Sequence, residues 1–313
     1  MQRALRHIAC TLIGLCLSSM VLADYSREYI DGHPLQITQA NGLDLAYRMV
    51  GEQTDPVVVM IMGLGASHAV WGDDLVKGLV DSGYQVLLFD NRDVGGSTRF
   101  DGWGEPTLWW QLLKYTLGFD VDAPYNLNDM AQDTVALMDQ MGITKAHIVG
   151  ASMGGMVAQI VTARHPEKIT SLTSIMSTTN APHLPKPSSD AENSLRDLAE
   201  GEAAEARQAA MRKRGFYIES IPRQIMGILK TGDRTEEVAT ITSPTLVLHG
   251  RDDQLIKLAH GQHTADTIKG AKFVVFEDMG HNLPEAVLPQ ILNSMVKHFE
   301  QVSDPQIKTV SMR

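Results

Sequence analysis

Hydrophobic and polar positions follow two different spacings from about residue 35 to residue 178. Some segments alternate apolar and polar side chains or form short continuous apolar runs, and both patterns are typical of strands in a sheet. Other segments repeat apolar residues at helical spacing. The predicted strands are 43–50, 57–62, 85–90, 146–149 and 169–177, and the predicted helices are 71–81, 129–141 and 153–164. This alternation predicts an α/β fold with a mostly parallel central sheet and helices on both faces.

The alternation stops at about residue 181 and resumes after Pro244. Residues 181–240 begin with a proline-rich stretch and continue as charged, alanine-rich helical sequence. The sequence then predicts strands over 245–249 and 272–277 and a closing helix over 284–300. A helical insertion between two strands has two interpretations, a lid over an active site or surface decoration, and we favour the lid.

The first 23 residues form a segment of a different kind. Arg3 and Arg6 give it a basic start, an apolar run follows over 8–17, and Val21-Leu22-Ala23 supplies the small residues that a signal peptidase reads. This layout predicts a signal peptide over 1–23, with cleavage before Asp24.

Cleavage would leave one folded domain over 24–313, with no stable membrane anchor, exported to the periplasm or secreted. An uncut membrane anchor is the alternative, but the apolar run is shorter than the roughly 20 residues that a spanning helix needs. Lipid attachment at Cys10 or Cys16 is a weaker option because the residues before each cysteine fit poorly. Both cysteines fall within 1–23, so a mature chain would have neither a thiol nucleophile nor a cysteine-ligated metal.

Charge and missing motifs exclude other classes of function. The chain has 27 Lys+Arg against 37 Asp+Glu, a net charge of −10, which disfavours a nucleic-acid partner. The dense basic run Arg212-Lys213-Arg214 is short, and we interpret it as a solvated helix face. H-E-x-x-H, a P-loop and a complete G-x-G-x-x-G after a strand are absent, so we expect neither a metal nor an organic cofactor.

The strongest functional signal is Gly150-Ala151-Ser152-Met153-Gly154, between the predicted strand 146–149 and the predicted helix 153–164. A serine nucleophile must stand on a sharp turn clear of the sheet, with small flanking residues where strand and helix backbones nearly touch. The helix directs its first N–H groups and its positive dipole end at the reacting centre. A plain glycine–serine turn is the alternative, but this context favours Ser152 as a nucleophile.

A serine hydroxyl needs a base that is oriented by an acid. Of the histidines, His281 combines a late position, a preceding glycine and a place in the loop after the last predicted strand. Asp252 and Asp253 both follow the strand before it; we favour Asp253 as the acid, with Asp90 as a minor alternative. Because the carboxyl ends of parallel strands share one rim, Ser152, Asp253 and His281 are expected to meet there.

Ester hydrolysis passes through a tetrahedral oxyanion that two N–H donors stabilise. Met153, the residue after the serine, is one expected donor. The glycine-rich loop 63–67 follows a predicted strand on the same rim, and Leu64 is the candidate for the second donor. His68 comes next along the chain, and we expect it to line the site.

These motifs together resemble the α/β-hydrolase superfamily, and within it the small serine esterases related to aclacinomycin methylesterase. The motifs that carry the resemblance, in chain order, are Met62-Gly63-Leu64-Gly65, Asp90-Asn91-Arg92-Asp93-Val94-Gly95-Gly96-Ser97, Gly150-Ala151-Ser152-Met153-Gly154, Gly250-Arg251-Asp252-Asp253 and Gly280-His281. The resemblance implies a Ser152–His281–Asp253 triad with Leu64 and Met153 as oxyanion donors. Many relatives have His where this chain has Met62, which leaves the donor loop in place.

Residues 101–123 add tryptophans and other aromatic residues on the predicted catalytic rim. Trp109 and Trp110 are therefore candidate substrate-binding residues. The alternative is a helix that buries its aromatic side chains against the body of the protein. A highly anionic substrate fits the acidic chain poorly.

The sequence therefore predicts an exported serine carboxylester hydrolase that acts on a small to medium apolar ester. One alternative is an amidase or a peptidase similar to proline iminopeptidase, in which acids of the insertion would hold the substrate's amino group; the candidates are Asp190, Glu192, Glu202 and Glu205. Another is a catalytically silent ligand-binding protein on the same fold.

Overall fold

The computed structural model describes residues 26–104, 107–189 and 204–303, so the predicted signal segment lies outside the described residues. One eight-stranded sheet has the order β1-β2-β4-β3-β5-β6-β7-β8. The strands β3 to β8 are parallel, whereas β2 pairs antiparallel with both β1 and β4. Their bounds are Gln36–Ala40, Leu43–Val50, Val57–Ile61, Gln85–Phe89, Ala146–Ala151, Ile169–Ile175, Thr245–Gly250 and Lys272–Phe276. The predicted α/β fold with a mostly parallel sheet is confirmed.

Ten helices are described in residues 26–104, 107–189 and 204–303. The helix α2 packs against α10, and α4 packs against α5, which lies on β5 and β6. The bounds of α1 to α10 are Glu28–Asp31, Asp73–Asp81, Leu108–Thr116, Leu127–Gln140, Met153–Arg164, Ala204–Lys213, Ile221–Thr231, Thr235–Val238, Leu258–Thr267 and Leu288–Ser303. No helix in the described ranges is both long enough and apolar enough to cross a bilayer.

Several element boundaries differ from the sequence-based expectations. The predicted helix 71–81 divides into a 3₁₀ turn over His68–Trp71 and the helix α2, with Gly72 at a positive φ of 76° between them. The predicted closing helix 284–300 begins later, at Leu288, and continues to Ser303. Strand β2 and helix α5 have the bounds that the sequence predicts.

The insertion between β6 and β7 is attached to the loop that follows β3. The N–H of Tyr217 donates to the carbonyl of Gly65 at 2.6 Å, and the N–H of Ser67 donates to the carbonyl of Gly215 at 2.9 Å. Residues 66 and 216 form an antiparallel bridge between these bonds. The insertion thus adds a short backbone pairing at the carboxyl-terminal rim of the sheet.

A buried ion pair also holds the insertion in place. Arg223 of α7 makes two hydrogen bonds to the Asp93 carboxylate, at 2.6 and 2.9 Å, and both side chains are buried. The Tyr125 hydroxyl donates to the same carboxylate at 2.8 Å. Burial and the neighbouring Asp93 charge raise the pKa of Tyr125, so this phenol stays protonated and keeps its bond to the carboxylate.

Candidate active site

Ser152 occupies a strained turn between β5 and α5. Its φ of 55° and ψ of −121° lie in a region that side-chain-bearing residues seldom adopt. The Ser152 N–H donates to the carbonyl of Ile175 at 2.9 Å, and the Ser177 hydroxyl donates to the Ser152 carbonyl at 2.7 Å. The surrounding structure therefore fixes a backbone conformation that costs on the order of 1–3 kcal/mol, as is common at functional sites.

Two glycines permit this turn because backbones pass very close to them. A Cβ built on Gly150 would lie 2.2 Å from the carbonyl oxygen of Gly154. A Cβ built on Gly154 would lie 2.0 Å from the carbonyl oxygen of Ile61 in β3. Neither position has room for a methyl group, which explains the spacing of the glycines around Ser152.

The three residues predicted to meet on the rim form one chain of hydrogen bonds. His281 Nε2 lies 2.9 Å from Ser152 Oγ, and His281 Nδ1 lies 2.7 Å from Asp253 Oδ2. The side chains come from the loops after β5, β7 and β8. All three are buried, with 1% of Asp253 and of His281 and 6% of Ser152 exposed. A low-dielectric environment of this kind strengthens each hydrogen bond in the chain.

The structure also distinguishes the candidate acids. The second oxygen of Asp253, Oδ1, accepts hydrogen bonds from the N–H groups of Leu255 and Ile256, each at 2.9 Å. Asp252 is exposed. Asp90 accepts from the N–H and from Nδ1 of His68 instead, at 2.9 and 2.6 Å. Asp253 is therefore the carboxylate that reaches His281.

The two expected oxyanion donors lie in backbone segments beside the serine. Met153 directly follows Ser152, and the loop of Leu64 approaches from β3: a Cβ built on Gly63 would lie 3.6 Å from Ser152 Oγ. The next N–H along the loop, that of Gly65, donates to Oε1 of Gln224 at 2.7 Å. Within the described part of the chain, the N–H groups of Leu64 and Met153 have no protein acceptor, so both can bind a ligand oxygen.

An apolar cavity of about 200 Å³ opens at Ser152. Its lining comes from the two donor segments, from α5, α7 and α9, from the segment after β6 and from the loop after β7. It comprises Leu64, Ser152, Met153, Met156, Thr178, Asn180, Pro187, Ile225, Ile228, Leu229, Leu255, Ile256 and His260. We call it the apolar cavity. Branched aliphatic and methionine side chains dominate it, which suits a hydrocarbon group of a ligand.

Among the described residues that line the apolar cavity, His260 has a side chain that can carry a charge. Its Nδ1 lies 2.7 Å from the Thr178 hydroxyl, and its Nε2 lies 2.9 Å from the carbonyl of Pro185. Because a carbonyl only accepts, Nε2 carries a proton and Nδ1 accepts from Thr178. Burial lowers the pKa of His260, so the ring stays neutral at pH 7 and adds no charge to the apolar cavity.

The tentative substrate-binding residues have other surroundings. His68 is buried, and its Nδ1 and Nε2 bond to Asp90 and to Nε of Arg48, the latter at 3.0 Å. Both ring nitrogens thus have protein partners, and His68 braces the rim rather than lining the apolar cavity. Trp110 is 48% exposed on α3 and is not in that lining. The side chain of Trp109 lies outside the described part of the structure.

The sequence did not lead us to predict that α7 lines the apolar cavity. Ile221, Ile225 and Ile228 repeat at the spacing of one helix face, and the last two line the apolar cavity. This periodicity was available in the sequence, but the insertion as a whole reads as charged and alanine-rich. Gln224 carries no comparable signal, because a single glutamine between apolar positions does not reveal which backbone group it will bind.

Two further expectations concern metal ligands and the acidic residues of the insertion. In residues 26–104, 107–189 and 204–303, no three His, Cys, Asp or Glu side chains are arranged to hold a metal ion. Three of the acids named for an amine-binding alternative, Asp190, Glu192 and Glu202, lie outside the described residues, and Glu205 is exposed on α6.

Known proteins resemble this chain over most of its length. Rhodomycin D methylesterase DauP of Streptomyces sp. (strain C5) is 24% identical over 293 residues, which cover 80% of this chain and 92% of that protein. Esterase RhEst1 from Rhodococcus sp. ECU1013 superposes with a TM-score of 0.66 at 17% identity and covers 86% of this chain and 99% of its own. The meta-cleavage product hydrolase CumD from Pseudomonas fluorescens IP01 gives a TM-score of 0.63 at 23% identity, covering 85% of this chain and 97% of its own. The two structures show a shared fold.

A family model decides the classification. The model described as alpha/beta hydrolase fold matches residues 56–215, from the start of the parallel strands into the insertion. The match spans just over half of the chain and contains both the loop of Leu64 and the turn of Ser152. The chain therefore belongs to the α/β-hydrolase fold family and has esterases among its relatives.

Proposed function

We propose that this protein is a serine carboxylester hydrolase that acts on small to medium apolar esters. The observation that carries the proposal is the buried hydrogen-bond chain from Ser152 through His281 to Asp253. Beside it lie two backbone N–H groups that have no acceptor among the described residues. The esterases among its relatives support the same reaction class.

The proposed reaction gives each group a role. Ser152 Oγ transfers its proton to His281 Nε2 as it attacks the ester carbonyl carbon, and the Asp253 carboxylate stabilises the imidazolium that forms. The N–H groups of Leu64 and Met153 bind the negatively charged oxygen of the tetrahedral intermediate. The imidazolium then protonates the leaving alkoxide, and the acyl group remains on Ser152. A water molecule, deprotonated by His281, attacks this acyl-enzyme and releases the acid.

The apolar cavity supports the proposal that one side of the substrate's ester group is a hydrocarbon chain. Its volume of about 200 Å³ is below the roughly 300–1,000 Å³ that is usual for ligand sites. Helix α7 supplies Ile225, Ile228 and Leu229 as one wall, which is why we propose that the insertion acts as a lid.

The test compares purified protein with Ser152→Ala on short p-nitrophenyl esters. We expect the variant to lose hydrolysis and to lose labelling by a fluorophosphonate probe, because both need the nucleophilic oxygen. Ser82→Ala, which changes an exposed hydroxyl on the surface, is the matched control and should keep both. Equal hydrolysis by Ser152→Ala and the unchanged protein would contradict the proposal. Amino-acid naphthylamides tested alongside the esters would detect an amidase.

We further propose that the protein is exported. The support is the basic start, the short apolar run and the small residues before Asp24. Expression of the full-length gene in a bacterium, followed by N-terminal sequencing of the protein from the periplasm and medium, tests this. A mature chain that begins at Asp24 is expected, and a chain that keeps Met1 in the cytoplasmic fraction would contradict export.

A further inference from the structure

A second cavity lies next to the hydrogen-bond chain. Its volume is about 110 Å³, and its lining comprises Arg27, Met62, Ala69, Val70, Met176, Lys213, Arg214, Phe216, Asn282 and Leu283. We call it the basic cavity. Met62 precedes the donor loop, Asn282 follows His281, and Met176 follows Ile175, whose carbonyl accepts from Ser152. The lining of the basic cavity thus includes residues that directly precede or follow site residues in the sequence, and it shares no residue with the lining of the apolar cavity.

Among the described residues that line the basic cavity, three are cationic and none is acidic. Lys213 and Arg214 belong to the dense basic run that the sequence suggested was a solvated helix face. In the structure, Arg212 and Lys213 are both exposed on α6, as that interpretation expects, and Arg212 pairs with Glu219 at 2.6 Å. Arg214 follows the helix and is partly buried. Arg27 approaches Asp31, but only at 3.8 Å and with both side chains more than a third exposed.

The lining of the basic cavity combines apolar side chains with cationic and amide side chains. Methionine, valine, leucine and phenylalanine side chains suit a short hydrocarbon arm, while the cations and the Asn282 amide suit a negatively charged group at its end. The protein as a whole carries a net charge of −10, which repels anions at long range. A cluster of local cations is therefore what an anionic substrate would require, and a single carboxylate is the anion that the small volume admits.

We propose that the basic cavity binds a carboxylate of the substrate, so that the preferred substrates are esters with one free carboxylate on a short apolar arm. This inference rests on the proposed esterase function and changes the proposed substrate class by adding one charged group to an otherwise apolar ester. The ester group lies at Ser152, the carboxylate meets Arg27, Lys213 and Arg214, and the remaining hydrocarbon part occupies the apolar cavity.

The kinetic test uses pairs of esters of equal length. Monomethyl adipate and 6-acetoxyhexanoate carry the carboxylate on the acyl side and on the alcohol side, and methyl hexanoate and hexyl acetate are their neutral counterparts. We expect the unchanged protein to favour one anionic ester over its neutral counterpart in kcat/KM. Lys213→Gln together with Arg27→Gln should lower kcat/KM for that ester by about fivefold and alter the neutral ester less than about twofold. Lys145→Gln, which removes an exposed cation before β5 at the opposite rim, is the matched control and should change neither.

A binding test separates this inference from the proposed reaction. Ser152→Ala should bind the preferred anionic ester more tightly than its neutral counterpart by calorimetry, and the double substitution should abolish that difference. Added salt should weaken it as well, because the cations are partly exposed to solvent. Equal binding of both esters, or equal losses for both in the double variant, would overturn the inference. If Ser152→Ala still hydrolysed esters, the proposed reaction would fail, while the binding test would still decide whether the basic cavity takes a carboxylate.

Discussion

Two buried histidines make the folded protein sensitive to mild acid. His147 on β5 and His298 on α10 are each less than 5% exposed, and the His147 ring lies 4.3 Å from that of Phe299. Burial is the main cause that lowers the pKa of each histidine to about 4 from the ordinary 6.5, and Lys272 adds to the effect on His298. Both rings are therefore neutral in the folded protein, and Nε2 of His298 has no hydrogen-bond partner among the described residues to stabilise a charge.

The size of the effect follows from the number of protons bound by each state. Below pH 6.5 the unfolded chain binds protons that the folded protein excludes, so the stability contributed by the neutral rings is complete above pH 6.5 and is lost as the pH falls toward 4. Between pH 7 and pH 5, each histidine lowers the free energy of unfolding by about 2 kcal/mol. The pair together lowers it by about 4 kcal/mol, a large part of the 5–15 kcal/mol typical of a domain.

Urea unfolding followed by circular dichroism at pH 7 and pH 5 measures this loss. In His298→Gln, the difference between the two pH values should shrink by about 2 kcal/mol, whatever the variant does to stability at pH 7. His165→Gln, at a histidine that is about a third exposed, is the matched control for the substitution. If His298→Gln kept the full difference, the buried histidines would not be the cause and the reasoning would be refuted.

Three further predictions concern the site. Asp253→Asn should lower kcat for p-nitrophenyl esters by about ten-thousandfold because it changes the group that orients the imidazole, whereas Asp252→Asn, at an exposed position, should stay within about twofold in the same assay. Gln224→Leu removes the acceptor of the Gly65 N–H, so the loop that carries the Leu64 N–H loses its position. In steady-state kinetics kcat should fall about tenfold with KM nearly unchanged. A raised KM at constant kcat would indicate that Gln224 contacts the substrate instead. Gly154→Ala adds a methyl group 2.0 Å from a carbonyl oxygen of β3 and should cost more than about 3 kcal/mol in urea unfolding, while Gly102→Ala, with open space around it, should unfold as the unchanged protein does.

The parallel strands and the reacting groups could be predicted from the sequence because each has a local signal. Buried strands such as 57–61 and 85–89 read as continuous apolar runs, and the turn of Ser152 needs glycines on both sides. The order of the motifs then placed Asp253 and His281 on the same rim. Strand β1 was missed although Asn41-Gly42 after it is a typical hairpin turn, because its exposed side chains give little hydrophobic pattern.

The cavities could not be predicted because their walls come from distant parts of the chain. The apolar cavity joins α7 to the loops after β3 and β7, and the basic cavity joins Arg27 to residues 213–216. Which face of a helix meets a loop depends on the packing of the insertion, and that packing depends on single contacts such as Arg223 with Asp93. No short segment contains this information, so the sequence does not show that Lys213 and Arg214 line a cavity.

The backbone pairing of Ala66 with Phe216 links the rate of the reaction to the choice of substrate, two properties that often vary separately in enzymes. One partner belongs to the loop that presents the Leu64 N–H, and the other belongs to the insertion that walls both cavities. If the insertion were exchanged in evolution, the turnover rate of the enzyme and its substrate selectivity would therefore change together. Redesign of selectivity in this scaffold is best confined to side chains of α7 and the basic run, with the 215–217 backbone left untouched.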